Sequence, residues 1–514
     1  MDSRTATPDS ALAHPPSDFI DGRFVQLRGG SAAIVARDPA DPQRVTWTGE
    51  PVLSHVDDAV ASARSALRSW SGRPLEARVA ILRRWQEVTA AHAERIAAQV
   101  CDEMGKTIAE CRFEARALAE KVDITLDRIS FSRVSDYELA VGATRSGACR
   151  FRPHGVLAVL GPFNFPAHLP NGHFVPALIL GNTVVLKPSE KTPGTGQLLA
   201  ELMHEAGIPA GVFNVVQGGA ESAARLVAHD DIDGILFTGS WPVGRRILAA
   251  NLDRPGRIVA LEMGGNNPAV VMPTANLRQA AIECVRSAFA TTGQRCTCTR
   301  RLIVHRAVAD RFVPLVLKAA STLLVGPGRS GTPIFMGPVA TAAAAEATLR
   351  FQSDLAAAGG RVLLESTRVR PPEAPEGHFV TAGIVEVPGF SRDRDEELFG
   401  PILQVAVVDS IDEAIAQAGA TRFGLAASLF SADDGEWEAF FAGVRAGCVN
   451  RNTGTAGASS KLPFGGLGLS GNHRPAAAFS VDYCAHPVAS MVERGAEAAV
   501  PAGMQWDDRW LGSA

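Results

Sequence analysis

Short apolar runs separated by helically spaced stretches dominate the middle of the chain. Val156-Leu157-Ala158-Val159-Leu160, Thr183-Val184-Val185-Leu186-Lys187, Val212-Phe213-Asn214-Val215-Val216 and Gly234-Ile235-Leu236-Phe237-Thr238 each carry Gly, Pro or Asn on at least one flank. Continuous apolar runs of this length predict strands buried on both faces. Between them, 173–180 and 195–206 place apolar residues at helical spacing. Strand and helix therefore alternate, as in a parallel α/β sheet. A second series follows Met263 and includes Leu302-Ile303-Val304 and the apolar run 403–408. Upstream, 56–70 and 77–104 show helical spacing with Arg and Glu between the apolar positions, and Ser71-Gly72-Arg73-Pro74 divides them. They predict two surface helices, with 111–129 a third. From 132 to 151 the pattern changes to short alternation, as in Tyr137-Glu138-Leu139-Ala140-Val141, which predicts strands. No internal repeat is present.

Composition narrows the class. The 514 residues correspond to roughly three domains at about 150 residues each. With 46% hydrophobic and 20% charged residues the chain resembles an average soluble protein. The formal net charge is -4 and no basic block stands out, so nothing favours nucleic acid as a partner. No apolar run reaches the roughly 18 residues of a membrane span. Residues 1–18 are polar and Pro-containing and lack the regions of a secretory signal, so a flexible tail and a cytoplasmic location are expected. Eight Cys stand at 101, 111, 149, 284, 296, 298, 448 and 484, without CxxC or Cys/His ligand spacing. Neither a metal nor a disulfide framework is expected.

Candidate chemistry lies in three segments: Gly161-Pro162-Phe163-Asn164-Phe165-Pro166, Glu262-Met263-Gly264-Gly265-Asn266-Asn267-Pro268 and Gly293-Gln294-Arg295-Cys296. They supply an amide able to hold an oxyanion, a carboxylate able to activate water, and a thiol able to add to a carbonyl. In this order they resemble the aldehyde dehydrogenase superfamily, and the resemblance runs from about Asp18 to Ser490. It implies two parallel α/β domains, a Rossmann-like cofactor domain and a catalytic domain, plus a small β oligomerisation arm. The cofactor domain would comprise 19–133 and 153–262, the arm 134–152 and 481–495, and the catalytic domain 263–448. A substrate loop, 449–480, would return to the cofactor domain before a C-terminal tail, 496–514. Exposed strand edges favour pairing between copies, and a homodimer or homotetramer is expected.

The resemblance further implies that Cys296 adds to an aldehyde, that Asn164 and the Cys296 amide hold the oxyanion, and that hydride passes to a nicotinamide. Glu262 would then activate the water that hydrolyses the thioester. Cys298, two residues on, is expected to be a bystander. Cofactor contacts are expected from Lys187, Ser189 and Glu190 at a strand's carboxyl end, where open α/β sheets bind ligands. They are also expected from Gly219, from Thr238-Gly239-Ser240 and Gly244 around a helix start, and from Glu397 and Phe399. A carboxylate at 190 would accept from an adenosine 2′-hydroxyl and repel a 2′-phosphate, which favours NAD over NADP. GxGxxG is absent, and Trp241-Pro242 is bulkier than the family turn.

Motifs around 262, 296 and 463–475 look like the branch acting on N-succinylglutamate 5-semialdehyde, in arginine catabolism. Glutamate and succinic semialdehydes are the rival substrates, and a redox-independent cysteine esterase the rival chemistry. A carboxylated substrate calls for a cationic wall, for which Arg295, His473 and Arg474 are candidates. Asn171, Ser470 and Asn472 could add neutral donors, with His168 a weaker candidate. Arg451 and Lys461 depart from the branch pattern.

Overall fold

The computed structural model describes residues 12–30, 32–473 and 476–512. Two seven-stranded sheets carry the fold. The first runs Ile258–Met263, Gly234–Gly239, Val156–Leu160, Thr183–Lys187, Phe213–Val215, Ser17–Ile20, Arg23–Gln26. Its first five strands are mutually parallel, and the two from the N-terminal region join antiparallel. Val156–Leu160 and Thr183–Lys187 are buried at every position, as helices covering both faces require.

The second sheet runs Arg361–Leu364, Gly383–Glu386, Ile402–Val408, Thr299–His305, Asn267–Val271, Ala426–Phe430, Cys448–Arg451. It is parallel except at its first strand. A separate three-stranded antiparallel sheet is built from Tyr137–Ala140, Arg145–Pro153 and Ala485–Glu493.

Two expectations need correction. Residues 13–18 are not a free tail. The amides of Ala13 and His14 donate to Glu201, and Asp18 is fully buried against His55 and the Gln217 amide. The segment is short and polar, yet Phe19 is core, so the neighbouring polar groups are satisfied inside. Residues 1–11 lie outside the described residues. The helical stretch 77–104 is two helices, Leu75–Ala91 and Ala93–Met104, parted at His92. The second is buried from Ile96 to Met104 rather than lying on the surface.

Glu262 and Thr238 lie side by side near the carboxyl ends of adjacent parallel strands, with Lys187 ending a third. Asn267 opens the second sheet only five residues after Glu262. The returning segment 467–472 ties the two units together. Leu467 and Leu469 donate to the carbonyls of Gly424 and Arg422, and Asn472 donates to Leu261. The Asn164 amide, just past Val156–Leu160, meets the Gln294 carbonyl, so the carboxyl edge of the first sheet faces the loop that leads into Thr299–His305.

Candidate active site

A cavity of about 900 Å³ opens at that junction, and Asn164, Glu262 and Cys296 all line it. Cys296 follows a turn in which Thr291 and Thr292 have φ of 53° and 56°. Left-handed backbone is costly for β-branched residues, so the surroundings must hold it. Thr291 gives its amide and hydroxyl to Glu110 at 2.9 and 2.7 Å, and Thr292 its hydroxyl to Gly337. The Asn267 side-chain amide then donates to the carbonyls of Cys296 and Cys298 at 2.7 and 2.9 Å. Cys298 is fully buried and does not line the cavity, whereas Cys296 is partly accessible.

Burial pushes the Cys296 thiol well above its ordinary range, helped by the charges of Glu262 and Glu397. Glu262 is 1% exposed and neither of its carboxylate oxygens has a hydrogen-bond partner. Burial, then the charge of Glu397, raises it well above 4.5. Such an unpaired buried carboxylate is expensive and is expected where a reaction uses it. Asn164 rests with its amide on the Gln294 carbonyl at 3.1 Å.

Lys187, Ser189, Glu190, Gly219, Thr238, Gly239 and Ser240 line the same cavity, as do Glu397 and Phe399. The Lys187 ammonium is buried, donates to the Pro188 carbonyl at 2.6 Å and lies 3.9 Å from Glu190. Burial lowers it to about 8. Glu397 accepts from the Gly265 amide at 3.0 Å and is raised by burial to about 7. A Cβ at Gly264 would overlap the Glu397 carboxylate, so a side chain there would displace it. The helix Trp241–Ala249 begins at the cavity with Pro242 in its first turn, a position that Pro tolerates. Cation, carboxylates and helix start together suit the ribose hydroxyls and pyrophosphate of a dinucleotide.

Several expected residues are engaged elsewhere. Gly244 is not among the cavity-lining residues, and a Cβ there would strike the Met263 sulfur. Arg295 is ion-paired with Glu110 at 2.9 Å and donates to the Thr291 hydroxyl at 2.7 Å, behind the loop that bears Cys296. Asn171 is fully buried between the Trp85 indole and the Leu118 carbonyl. Ser470 accepts from the Gly424 amide at 3.0 Å. Asn472 bridges the Leu261 amide and the Val259 carbonyl at the edge of the first sheet. His473 is exposed, with φ of 54°, and is not among the cavity-lining residues. Arg474 lies outside the described residues. His168 is partly buried, and the desolvation of its ring lowers it to about 4. Arg451 pairs with Asp434 at 2.6 Å. Arg295, Asn171, Ser470, Asn472 and Arg451 thus satisfy backbone, another side chain or an opposite charge, which local sequence does not reveal.

Sequence reasoning missed the supports. Thr107 and Glu110 form a capping box ahead of the expected helix 111–129, a Thr-x-x-Glu signal present in the sequence, and Glu110 also reaches the loop that bears Cys296. Nothing local announces that Lys106, just before it, is fully buried.

Comparison with known proteins gives the family and the fold. Residues 27–487 match the model of the aldehyde dehydrogenase family. An N-succinylglutamate 5-semialdehyde dehydrogenase of Novosphingobium aromaticivorans is 45% identical over 476 residues, covering 93% of this chain and 99% of that one. The N-succinylglutamate 5-semialdehyde dehydrogenase 2 of Caulobacter vibrioides is 46% identical over 475 residues, covering 92% and 95%. Among solved structures, an indole-3-acetaldehyde dehydrogenase from P. syringae, in complex with NAD+ and IAA, superposes with a TM-score of 0.88 at 29% identity. That match covers 94% of this chain and 98% of that one. An NADP dependent enzyme from E. coli superposes with a TM-score of 0.87 at 28% identity, covering 93% and 98%.

Proposed function

The chain belongs to the aldehyde dehydrogenase family, and from that premise we propose that it oxidises N-succinyl-L-glutamate 5-semialdehyde to N-succinyl-L-glutamate with NAD. The observation that carries the chemistry is one cavity shared by a thiol, an unpaired buried carboxylate and a side-chain amide. Relatives named for this substrate, at 45% and 46% identity, support it.

In this reading the Cys296 thiolate adds to the aldehyde carbon. The Asn164 amide exchanges the Gln294 carbonyl for the new oxyanion, joined by the Cys296 main-chain N–H. Losing one such donor costs about 10²- to 10³-fold. NAD, when bound, supplies the hydride acceptor. The thioester left on Cys296 is hydrolysed by water that Glu262 deprotonates, and burial makes that carboxylate a stronger base once charged. Lys187 and Glu190 hold the adenosine ribose, Glu190 disfavouring a 2′-phosphate, and Glu397 holds the other ribose.

Copies would associate through the three-stranded sheet, where Tyr137, Leu139 and Met491 are 56%, 51% and 57% exposed, as a homodimer or homotetramer. No described helix is long and apolar enough to cross a membrane, and a cytoplasmic location is proposed.

One observation favours a second reading, a different carboxylated semialdehyde such as glutamate or succinic semialdehyde. Arg295 and Asn472, expected to anchor the succinyl group, are engaged within the protein. The test is steady-state NADH or NADPH formation from the three semialdehydes, each with NAD and NADP. A kcat/KM preference for the succinylated substrate with NAD supports the first reading. A preference for a shorter semialdehyde replaces it with the second. Ester cleavage without any cofactor reduction would leave only a cysteine hydrolase.

A further inference from the structure

Lys106 and Glu114 form an ion pair in which both side chains are wholly buried. Burying two charges is costly, and apolar residues of similar volume often replace such pairs without loss. What the pair touches is therefore informative. The Lys106 ammonium donates to the main-chain carbonyl of Asn164 at 2.9 Å and lies 3.8 Å from the centre of the Phe165 ring. One oxygen of Glu114 accepts from the amides of Ala167 and His168 at 2.9 and 3.0 Å, satisfying the start of the helix His168–Ile179. Each of these side-chain contacts falls on residues 164–168, the segment that presents the Asn164 side chain to the cavity.

The same stretch of chain reaches the opposite wall. Glu110, one turn before Glu114 on the helix Ile108–Leu126, binds Thr291 and Arg295 in the nucleophile loop. Arg295 in turn lies 5.3 Å from the other side's Phe165 ring. One helix start thus holds the loop bearing Asn164 and the loop bearing Cys296 in a common frame.

We propose that the buried Lys106–Glu114 pair positions Asn164 for oxyanion binding at Cys296, fixing the separation of the two groups from behind the site. The proposal rests on the oxyanion role of Asn164 given above. Neither residue lines the cavity, so both are positioning residues. Misplacement of a catalytic group by about 1 Å can cost about 10²-fold in rate.

The test is a double-mutant cycle between Asn164→Ala and the combined Lys106→Met/Glu114→Gln variant. That combination removes both charges together, retains an oxygen for the Ala167 and His168 amides, and strands no buried charge. Kcat, NAD affinity by fluorescence and thermal unfolding are measured for all four proteins. The expected result is an unchanged NAD Kd, a kcat loss of about 10- to 100-fold for the pair variant, and little further loss when Asn164 is already Ala. Groups acting through one another are non-additive. Equal losses in both backgrounds, or no loss, overturn the proposal. A silent Asn164→Ala would overturn the oxyanion role itself, and the pair's role with it. Should the pair variant fail to fold, Lys106→Arg keeps the ion pair but moves the donor from the Asn164 carbonyl. Reduced kcat at unchanged NAD Kd then supports the proposal, and wild-type kcat overturns it.

Discussion

Glu262 and Cys296 face one cavity, and burial raises the carboxylate and the thiol alike. The charge of Glu397 adds to it, and both Glu262 oxygens lack hydrogen-bond partners. The folded protein therefore binds the Glu262 proton more tightly than the unfolded chain does. Stability from this group is present below its unfolded value of 4.5 and declines as pH rises toward the folded value. Glu397 acts in the same direction between 4.5 and about 7. Glu262→Gln is accordingly expected to stabilise the fold by about 1–3 kcal/mol at pH 8, the scale of an unsatisfied buried polar group, and by little at pH 5. The same variant should retain a burst of NADH but lose steady-state turnover. Denaturant unfolding at the two pH values, with stopped-flow absorbance, checks both. A variant less stable at pH 8 would contradict the assignment.

Cys296 has no resting activation visible in its surroundings, because burial and two carboxylates all oppose its ionisation. Its alkylation by iodoacetamide should be slow at pH 7 and rise about tenfold per pH unit toward pH 9, following the thiolate fraction. NAD should protect it by occupying the shared cavity. Peptide mass spectrometry identifies the site. A rate already level at pH 7 would mean that the thiolate is preformed.

Arg295 and Glu110 are 20% and 17% exposed as side chains, and together they hold the strained Thr291 turn. Arg295→Ala should cost about 1–3 kcal/mol of stability and lower kcat by loosening the nucleophile loop. The ratio of kcat/KM between a carboxylated and an uncharged aldehyde should stay unchanged. Collapse of that ratio would instead restore Arg295 as a substrate anchor.

Glu190 borders the cavity with its side chain 51% exposed, close to Lys187. Glu190→Ala should raise kcat/KM for NADP about fivefold, the ~1 kcal/mol scale of a half-exposed charge contact. Activity with NAD should fall through the lost ribose contact. Parallel titrations of both cofactors decide the matter, and an unchanged ratio would remove Glu190 from cofactor selection.

The core strands were legible because their chemistry is local. Val156–Leu160 and Thr183–Lys187 are apolar runs ended by Gly or Pro, and both are buried throughout. Asn164, Glu262 and Cys296 were legible as motifs, and the fold brings all three to one cavity. Polar residues whose partners lie far along the chain were not. Asp18 meets Gln217, Lys106 meets Asn164, and Asn472 meets Leu261 across separations of 199, 58 and 211 residues. A buried polar side chain must find a partner, but sequence spacing does not say which, so supports such as Asn472 resemble ligands.

Asn472 gives that distinction a measurable form. It accepts from the Leu261 amide at 2.7 Å and donates to the Val259 carbonyl at 2.9 Å, and Glu262 is the next residue along that strand. Gly471 also bridges to Glu262 itself. Asn472→Ala removes both side-chain bonds, at a cost of about 1–2 kcal/mol, and frees the strand edge that aims the carboxylate. Deacylation should slow more than acylation, so a pre-steady-state NADH burst should grow relative to the steady rate. The KM for a carboxylated aldehyde should change less than twofold, because the side chain is committed to backbone. A large rise in KM with an unaltered burst would place Asn472 on the substrate rather than behind Glu262.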